Sequence, residues 1–374
     1  MPKKSAFVTI CVFLGLVACV EPYDFRFDLD LNIMTVDGLV TDQAGGTSVE
    51  IKTSRSRLGT SFDEPLRGCQ ATIKVSNGTV VALTETAPGI YTPPADFAGK
   101  IGLSYQLRFQ TKENKNYESN IEPMKTAPAI KNVSQRFEKD GILNGTGTLI
   151  LGSTTDVLVD FDDPAGERNF YTWRWKLWER QFVCITCVGG RLQNGTCVGI
   201  RGASSTTPPT YDYECQSDCW EVIYNKEVPL FSDVVSDGKT TLGFRVARIP
   251  YYTFSGALLE IEQISLSQSA FQYYQILKDQ SEGTGTLTDA PPSPIVGNVS
   301  NLSDANEKVI GYFTASAIKK VRVWLPRGPE AGIKRTLLLG REVNFEILPP
   351  PASPPKFPCV QSRNRTPIKP EGWR

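Results

Sequence analysis

Six cysteines from residue 184 onward have the spacing that most plainly suggests chemistry. Four of them form the motifs CITC and CQSDC, which begin at Cys184 and Cys215 and are separated by 27 residues. Two thiolate pairs at that spacing could hold a structural zinc ion, and the same cysteines could instead form disulfides or carry out redox chemistry. The compartment of the protein decides between these alternatives. The six candidates are Cys184, Cys187, Cys197, Cys215, Cys219 and Cys359.

Carboxylates are concentrated in the segment DVLVDFDDPAGERNF. Asp160 and Asp162 lie on the same face of a predicted strand, and Asp163 begins a turn before Pro164. Paired carboxylates can serve as the acid and base of a glycosidase, and carboxylates also bind calcium. The loop pattern D-x-D-x-D-G, which is typical of calcium sites, is absent. We therefore favour solvated turn carboxylates, and we predict no metal site and no cofactor.

Aromatic side chains alternate with polar ones in the segment FYTWRWKLW. Tyr171, Trp173 and Trp175 share one face of a predicted strand, because successive side chains of a strand point in opposite directions. Flat rings of this kind can stack on sugars, but packing in a core explains the same spacing without a ligand. Together with Trp178 and Trp220, these residues are the candidate ligand or partner surface.

Composition excludes several classes of function. The sequence contains no histidine, which removes Ser-His-Asp and Cys-His nucleophiles and almost every catalytic zinc site. Lys plus Arg and Asp plus Glu are both 40, so the formal net charge is 0, and removal of Lys3 and Lys4 would leave the mature chain near −2. No basic segment is available to bind nucleic acid.

The N-terminus indicates where the protein resides. Lys3 and Lys4 precede residues 6–18, an uncharged apolar run that suits a signal peptide and is shorter than the roughly 20 residues of a membrane-spanning helix. The run ends in LVAC, which resembles the lipobox of bacterial lipoproteins. This resemblance implies cleavage before Cys19 and acylation of its thiol and its new amino group. The alternative is an ordinary signal peptide with an incidental cysteine.

Export argues for disulfides rather than zinc. An exported protein meets an oxidising environment, in which an even set of cysteines is typical of disulfides. Six cysteines allow 15 pairings, and the sequence cannot choose among them. They would stabilise a loop-rich segment that is poor in apolar residues, and such rigid exposed loops often carry binding surfaces. Cys69 is expected to be a small buried thiol, the alternatives being a disulfide partner or a reactive group.

Short alternating segments, separated by Gly, Pro and Asn turns, predict a mostly β protein. Asn77-Gly78 predicts a hairpin between two such segments. One segment, SQSAFQYYQILKDQ, instead predicts a helix that is capped by Ser267 and packs on a sheet. The predicted parts are a signal peptide (1–18), a lipidated tether (19–30), an Ig-like or transthyretin-like β-sandwich (31–125), a larger β-rich domain (126–347) with a Cys-rich insertion (180–220) and the helix (267–280), and a Pro-rich C-terminal strap (348–374).

The helix and the strap each have two interpretations. Ala270, Phe271, Tyr274 and Leu277 fall on one helical face, which could contact a partner, but we favour packing in the core. LPPPASPPKFP should be extended in polyproline II. It could bind an aromatic groove in a partner, but we favour a stiff segment that crosses its own domain and is fastened through Cys359.

Several motifs together resemble one family. EPYD after Cys19, VDGLVTD, PPSPIVGN and a terminal KPEGW are similar to the Bacteroidota surface lipoproteins catalogued as DUF4249, and the similarity covers essentially the whole mature chain. The segment GLVTDQAGG…EPLRGCQATIKV also resembles the carboxypeptidase-regulatory-like β-sandwich of outer-membrane receptors. Members of the family typically occur beside TonB-dependent receptors. The resemblance implies an outer-membrane accessory protein that faces the cell surface, and it supplies no catalytic residues.

We therefore expect a lipid-anchored protein that binds rather than catalyses. Its partners would be the outer-membrane bilayer, through the acyl chains on Cys19, and a TonB-dependent receptor or another outer-membrane β-barrel complex. It would capture a ligand or serve as a structural subunit. The alternative is a surface carbohydrate-active enzyme that uses Asp160, Asp162 or Glu167.

Overall fold

The computed structural model describes residues 31–57, 60–144, 149–200, 208–281, 295–328 and 335–374. These residues form 25 β-strands and one α-helix, which confirms the predicted mostly β fold. Within these ranges, no helix combines the length and the apolar character needed to cross a membrane. The predicted signal peptide and Cys19 lie outside the described residues.

The first unit is a 12-stranded sheet with one hydrophobic core. Alternate residues of its strands point inward, so that Val36, Ile51, Ile73 and Leu107 are fully buried. Nine of its strands lie in the segment for which the sequence predicts a β-sandwich. They are β1 (Leu31–Thr41), β2 (Ser48–Arg57), β3 (Thr60–Pro65), β4 (Gln70–Val75), β5 (Val80–Ala87), β6 (Ile90–Thr92), β7 (Ser104–Gln110), β8 (Asn116–Ser119) and β9 (Glu122–Pro123).

The Asn77-Gly78 turn joins β4 to β5, as the sequence predicts. Gly78 has a φ of 92°, which glycine adopts without steric cost. The Thr79 amide donates to Asn77 Oδ1 at 3.0 Å, and the Val75 amide donates to the Thr79 carbonyl at 2.8 Å. The side chain and the backbone therefore fix the hairpin together.

Three strands from much later in the chain complete the first unit: β21 (Val299–Asn301), β22 (Val309–Ile310) and β23 (Phe313–Ser316). β22 and β23 run parallel to β1, and β21 pairs antiparallel with β8. At the centre of this pairing, Gly38 lies opposite Phe313. A Cβ on Gly38 would be 2.6 Å from Phe313 Cδ2. The interval 126–347 is therefore not one uninterrupted second domain, because residues 299–316 return to the first sheet.

The second unit is a sandwich of a three-stranded and a six-stranded sheet. Val157, Phe161, Trp173 and Ile261 fill the core between the two sheets. The smaller sheet consists of β10 (Ile130–Leu143), β11 (Ile150–Asp162) and β19 (Thr240–Pro250). The larger one consists of β12 (Phe170–Arg180), β17 (Trp220–Tyr224), β18 (Leu230–Ser232), β20 (Ala257–Leu266), β24 (Ile318–Leu325) and β25 (Arg365–Thr366).

The helix, α1 (Gln268–Ser281), begins where the sequence predicts. Ser267 is its N-cap, because its Oγ accepts a hydrogen bond from the Ala270 amide at 3.0 Å. Ala270 is fully buried, and the ring of Phe271 lies 4.8 Å from that of Phe170. Leu277 was expected on the same buried face but is 37% exposed, because the last turns extend past the core.

Glu122 is buried where the two units meet and is only 1% exposed. It accepts hydrogen bonds from Ser267 Oγ at 2.6 Å, Tyr312 OH at 3.0 Å and Asn298 Nδ2 at 3.2 Å. Burial raises the pKa of this carboxyl group, and the hydrogen bonds oppose that shift. Because the donors come from the helix cap and from the returning segment, this one side chain fixes both against β9.

The turn before β21 requires glycine at position 297 for steric reasons. A Cβ there would lie 1.8 Å from the Gly311 carbonyl oxygen, and the Gly297 amide donates to the Val309 carbonyl at 2.9 Å. The atoms nearest to this Cβ are backbone atoms of Gly311 and Ile310, so no side-chain rotation can relieve the overlap. We expect Gly297→Ala to lower the free energy of unfolding by about 3 kcal/mol, as measured by urea denaturation.

Gly328→Ala is the matched control for this substitution. A Cβ on Gly328 meets no atom within 4 Å, so the free energy of unfolding should change by less than about 0.5 kcal/mol. Equal stabilities of the two variants would contradict the assigned role of Gly297.

Candidate functional site

All six cysteines that were candidates for disulfides are paired, in three disulfides. Cys184 joins Cys215, Cys187 joins Cys197 and Cys219 joins Cys359, with Cα separations of 4.8, 5.4 and 5.7 Å. These distances lie in the usual range for disulfides. The prediction of disulfides is confirmed. A zinc site of four thiolates is excluded in this state, because the sulfurs are bonded to one another. Cys69 is a buried free thiol, and burial raises its pKa.

The first two disulfides lie within a small region that we call the stapled region. It consists of two antiparallel pairs: β13 (Val183–Val188) with β16 (Thr210–Glu214), and β14 (Gly190–Gln193) with β15 (Thr196–Gly199). Among the described residues, the hydrophobic cluster at its centre has three buried members, Cys187, Leu192 and Tyr213. So small a core stabilises little by itself. Each crosslink can contribute about 3 kcal/mol by restricting the unfolded chain.

Asp212 is the main polar anchor of the stapled region. It is fully buried and accepts hydrogen bonds from both terminal nitrogens of Arg341, at 2.8 and 2.6 Å. Thr186 Oγ1 and the Asn344 amide also donate to it, at 2.6 and 2.8 Å. Burial alone would raise the pKa of Asp212, but these hydrogen bonds and the Arg341 charge lower it to about 2. Asp212 therefore attaches the segment after residue 335 to β13 and β16.

The Pro-rich C-terminal segment lies across its own chain, which is the geometry that the strap hypothesis favours. The Phe357 amide donates to the Glu214 carbonyl, and the Gln216 amide donates to the Phe357 carbonyl, both at 2.9 Å. Near its end, the ring of Trp373 lies 5.8 Å from that of Trp220 and 5.1 Å from that of Trp324. The Cys219–Cys359 disulfide fastens the middle of the segment.

The five aromatic residues considered as a ligand or partner surface lie in the interior instead. Three of them face the smaller sheet of the second unit, and the other two lie in a cluster that Trp373 joins. None is more exposed than 9%. They therefore form a core and offer no exposed ring faces for sugar stacking. They are Tyr171 (0%), Trp173 (1%), Trp175 (9%), Trp178 (9%) and Trp220 (2%).

The carboxylates of the enzyme alternative are each occupied by other protein groups. Asp160 accepts hydrogen bonds from Asn132 Nδ2 and the Gly243 amide, and Asp162 pairs with Lys131 and Thr240. These contacts lower the pKa of both carboxyl groups. A glycosidase acid needs the opposite shift, since it must hold a proton near neutral pH. Glu167 is exposed and pairs with Lys125 at 3.2 Å.

A polar cleft of about 600 Å³ lies between the two units. The first unit contributes Asp37 and Glu50, which lie opposite each other on β1 and β2. The second unit contributes Arg174 and Asn225 to the same cleft. Burial raises the pKa of Asp37, Lys52 lowers it and Glu50 raises it further. With charges of both signs, this cleft can hold a polar ligand. Sequence reasoning missed it, because it exists only where the two units meet.

The stapled region and the adjoining segment expose several large apolar side chains. All four residues of β15 are exposed. Large apolar side chains near β13 and in the segment after residue 335 are exposed as well. We call them the exposed apolar set. It consists of Phe182 (55%), Val188 (68%), Val198 (42%), Phe345 (42%) and Ile347 (92%).

Asp212 predicts an acid-dependent loss of stability. Its folded-state pKa is about 2 and its ordinary value is 3.8, so its contribution is complete above about pH 4 and disappears as the pH falls toward 2. Asp212→Asn should lower the free energy of unfolding by about 2 kcal/mol at pH 7, with the difference vanishing near pH 2. Chemical denaturation of the oxidised protein across this range measures the effect.

Asp218→Asn is the control for that experiment. Asp218 is 59% exposed in its contact with Arg180, and exposed pairs contribute about 0–1 kcal/mol. A pH-independent loss of stability in Asp212→Asn would contradict the assigned role.

Among the comparisons with known proteins, the family profile gives the extensive match, and the searches of curated proteins and of solved structures add little to it. No curated protein matches the chain. Among solved structures, a DUF4785 family protein from Legionella pneumophila subsp. pneumophila is 10% identical, with a TM-score of 0.15. That match covers 62% of this chain and 52% of the other, so this chain spans about half the length of that structure. A similarity at this level does not establish a shared fold.

The match to a protein family is much more extensive. The sequence profile described as Domain of unknown function (DUF4249) matches residues 20–322. This interval includes the first unit, the returning strands β21–β23, the helix and the stapled region, and it ends within β24. The chain therefore belongs to the DUF4249 family.

Proposed function

We propose that this protein is a lipid-anchored outer-membrane accessory protein that acts with a TonB-dependent receptor or another outer-membrane complex. It binds rather than catalyses. The observation that carries the proposal is the pairing of all six distal cysteines in three disulfides. Disulfides of this kind persist in oxidising compartments such as the bacterial envelope, and the resemblance of LVAC, residues 16–19, to a lipobox supports the same location.

Anchoring would use Cys19. Acylation of both its thiol and its amino group places more than one chain on a single residue, which is what stable membrane attachment requires. Confinement to one membrane raises the effective concentration of the protein near a membrane-embedded partner. A weak contact surface is then sufficient for a lasting complex.

The exposed apolar set is the surface that we assign to the partner. Its members lie on a disulfide-fixed scaffold, so little conformational entropy is lost when they are buried. The buried state of Trp173 and its neighbours argues against the alternative of ligand capture on aromatic rings. Capture of a polar ligand remains a second candidate, and the cleft that contains Asp37 and Arg174 is the observation in its favour.

The lipidation prediction is tested by Cys19→Ser. We expect this variant to leave the membrane fraction, and mass spectrometry of the wild-type amino terminus should show acyl chains on Cys19. Cys11→Ser is the matched control, because Cys11 lies in the same apolar run but outside the LVAC motif. Continued membrane attachment of Cys19→Ser would overturn the proposed anchor.

The partner surface is tested by charge substitution followed by affinity purification from mild detergent. Val188→Asp and Ile347→Asp should each reduce recovery of an outer-membrane barrel about tenfold, which corresponds to about 1.4 kcal/mol. Both side chains are exposed, so folding should be unaffected. Val80→Asp is the control, since Val80 is 62% exposed on the first unit. Equal recovery with all three variants, or no barrel with the wild type, would contradict this surface assignment.

A further inference from the structure

Two loops meet at one end of the second unit. The first, residues 163–169, connects β11 to β12, and the second, residues 233–239, connects β18 to β19. Backbone hydrogen bonds hold them together: the Asp163 amide donates to the Lys239 carbonyl, and the Asp233 amide donates to the Asn169 carbonyl, both at 3.2 Å. The neighbouring strands thus fix the position of each loop.

Three carboxylates converge between these loops. Asp163, Asp233 and Asp237 each offer an oxygen atom within 4.8 Å of those of the other two. Asp163 is 5% exposed and Asp233 is 1% exposed. In the described part of the chain, none of the three forms an ion pair with a Lys or Arg, although nearby Asp162 and Glu167 both do. Converging negative charges without a protein cation repel one another.

An independent feature of Asp233 points to a missing ligand. Its Oδ2 accepts a hydrogen bond from the Asn169 amide at 2.8 Å, but its Oδ1 is buried and has no hydrogen-bond partner. Ser236 Oγ, three residues later in the same loop, is also buried without a partner. A buried unpaired oxygen costs about 1–3 kcal/mol, and more when it is charged. Such atoms in a native structure usually have a partner that is not protein.

The other two carboxylates are held in place by the protein. Asp163 Oδ1 accepts a hydrogen bond from Tyr171 OH at 2.9 Å, and Asp237 Oδ1 accepts one from the Gly166 amide at 2.8 Å. Burial raises the pKa of Asp163, and the charges of Asp233 and Asp237 raise it further. The protein therefore places these groups together against their mutual repulsion.

We propose that Asp163, Asp233 and Asp237 bind one calcium ion that links the two loops. Carboxylate and hydroxyl oxygens are the ligands that hard divalent cations prefer. Calcium accepts six to eight oxygens in flexible geometry, so Ser236 Oγ and water can complete its shell. Magnesium instead requires a near-ideal octahedron and usually binds through only one or two carboxylates. A loop-to-loop site with three carboxylates therefore suits calcium better.

This site differs from the sequence-based expectation that the turn carboxylates are merely solvated. The expectation depended on a pattern in one continuous loop, whereas these ligands come from two loops whose first aspartates, 163 and 233, are distant in the chain. No local spacing could reveal them.

The test is calcium titration of the full chain, purified with its disulfides intact and first treated with EDTA. Isothermal titration calorimetry should give one calcium site, and Tm should rise with added CaCl2 at concentrations up to about 1 mM, a range typical of extracellular calcium modules. MgCl2 at equal concentration should raise Tm less. No calcium response in the wild type would overturn the proposal, and an equal response to magnesium would overturn the choice of calcium.

Substitutions locate the site. Asp237→Asn should weaken calcium binding more than tenfold without affecting folding, because Asp237 is exposed. Asp162→Asn is the matched control, since Asp162 is adjacent to the site but pairs with Lys131 and Thr240. Its calcium affinity should remain within about twofold of the wild-type value. Equal affinity in Asp237→Asn and the wild type would overturn the site.

Asp233→Asn distinguishes a cation site from a purely structural role. In EDTA this variant should melt at or above the wild-type Tm, because one of three repelling charges is gone, whereas in CaCl2 it should melt below the wild type. A purely structural Asp233 predicts a lower Tm in both conditions, and that result would overturn the proposal.

Discussion

The parallel pairing of β22 and β23 with β1 determines how the two units of this protein meet. It carries the chain from the second unit back to the first strand of the first unit, and it places Phe313 directly against Gly38. The same return positions Asn298, whose amide group donates to Glu122 Oε1 and to the Phe313 carbonyl. Glu122 then accepts from the helix cap as well. The helix, the polar cleft and the relative position of the two units therefore follow from a few residues of parallel pairing.

The stapled region shows how a segment without an adequate apolar core becomes ordered. Its hydrophobic cluster has three buried members among the described residues, Cys187, Leu192 and Tyr213, which is too little apolar surface to offset the conformational entropy of the strands around them. Two disulfides inside the region and a third to the C-terminal segment reduce that entropy in the unfolded chain. The bidentate pair of buried Asp212 with partly exposed Arg341 adds geometric specificity. A contact surface on such a scaffold keeps its shape without a partner.

Local sequence patterns predicted the fold class, but they could not predict which distant strands pair with each other. The Asn77-Gly78 hairpin and the Ser267 cap depend on neighbouring residues only, so the sequence specified both. Alternation in FYTWRWKLW correctly identified a strand with one apolar face. It could not tell whether that face met a ligand or a second sheet, because β11 and β19, which cover it, are separate segments. The even number of cysteines predicted disulfides. Which cysteines pair could be determined only from their proximity in the folded chain. The polar cleft and the return of residues 299–316 left no local signal at all.

The stapled region and the two acidic loops share a dependence on the chemistry of the surroundings. The first is poor in apolar residues and relies on oxidised sulfurs, and the second brings together three carboxylates, none of which forms an ion pair with Lys or Arg within the described residues. In a reducing compartment the thiols would separate, and without divalent cations the carboxylates would repel one another. Both segments should therefore be least ordered under reducing conditions in the absence of divalent cations.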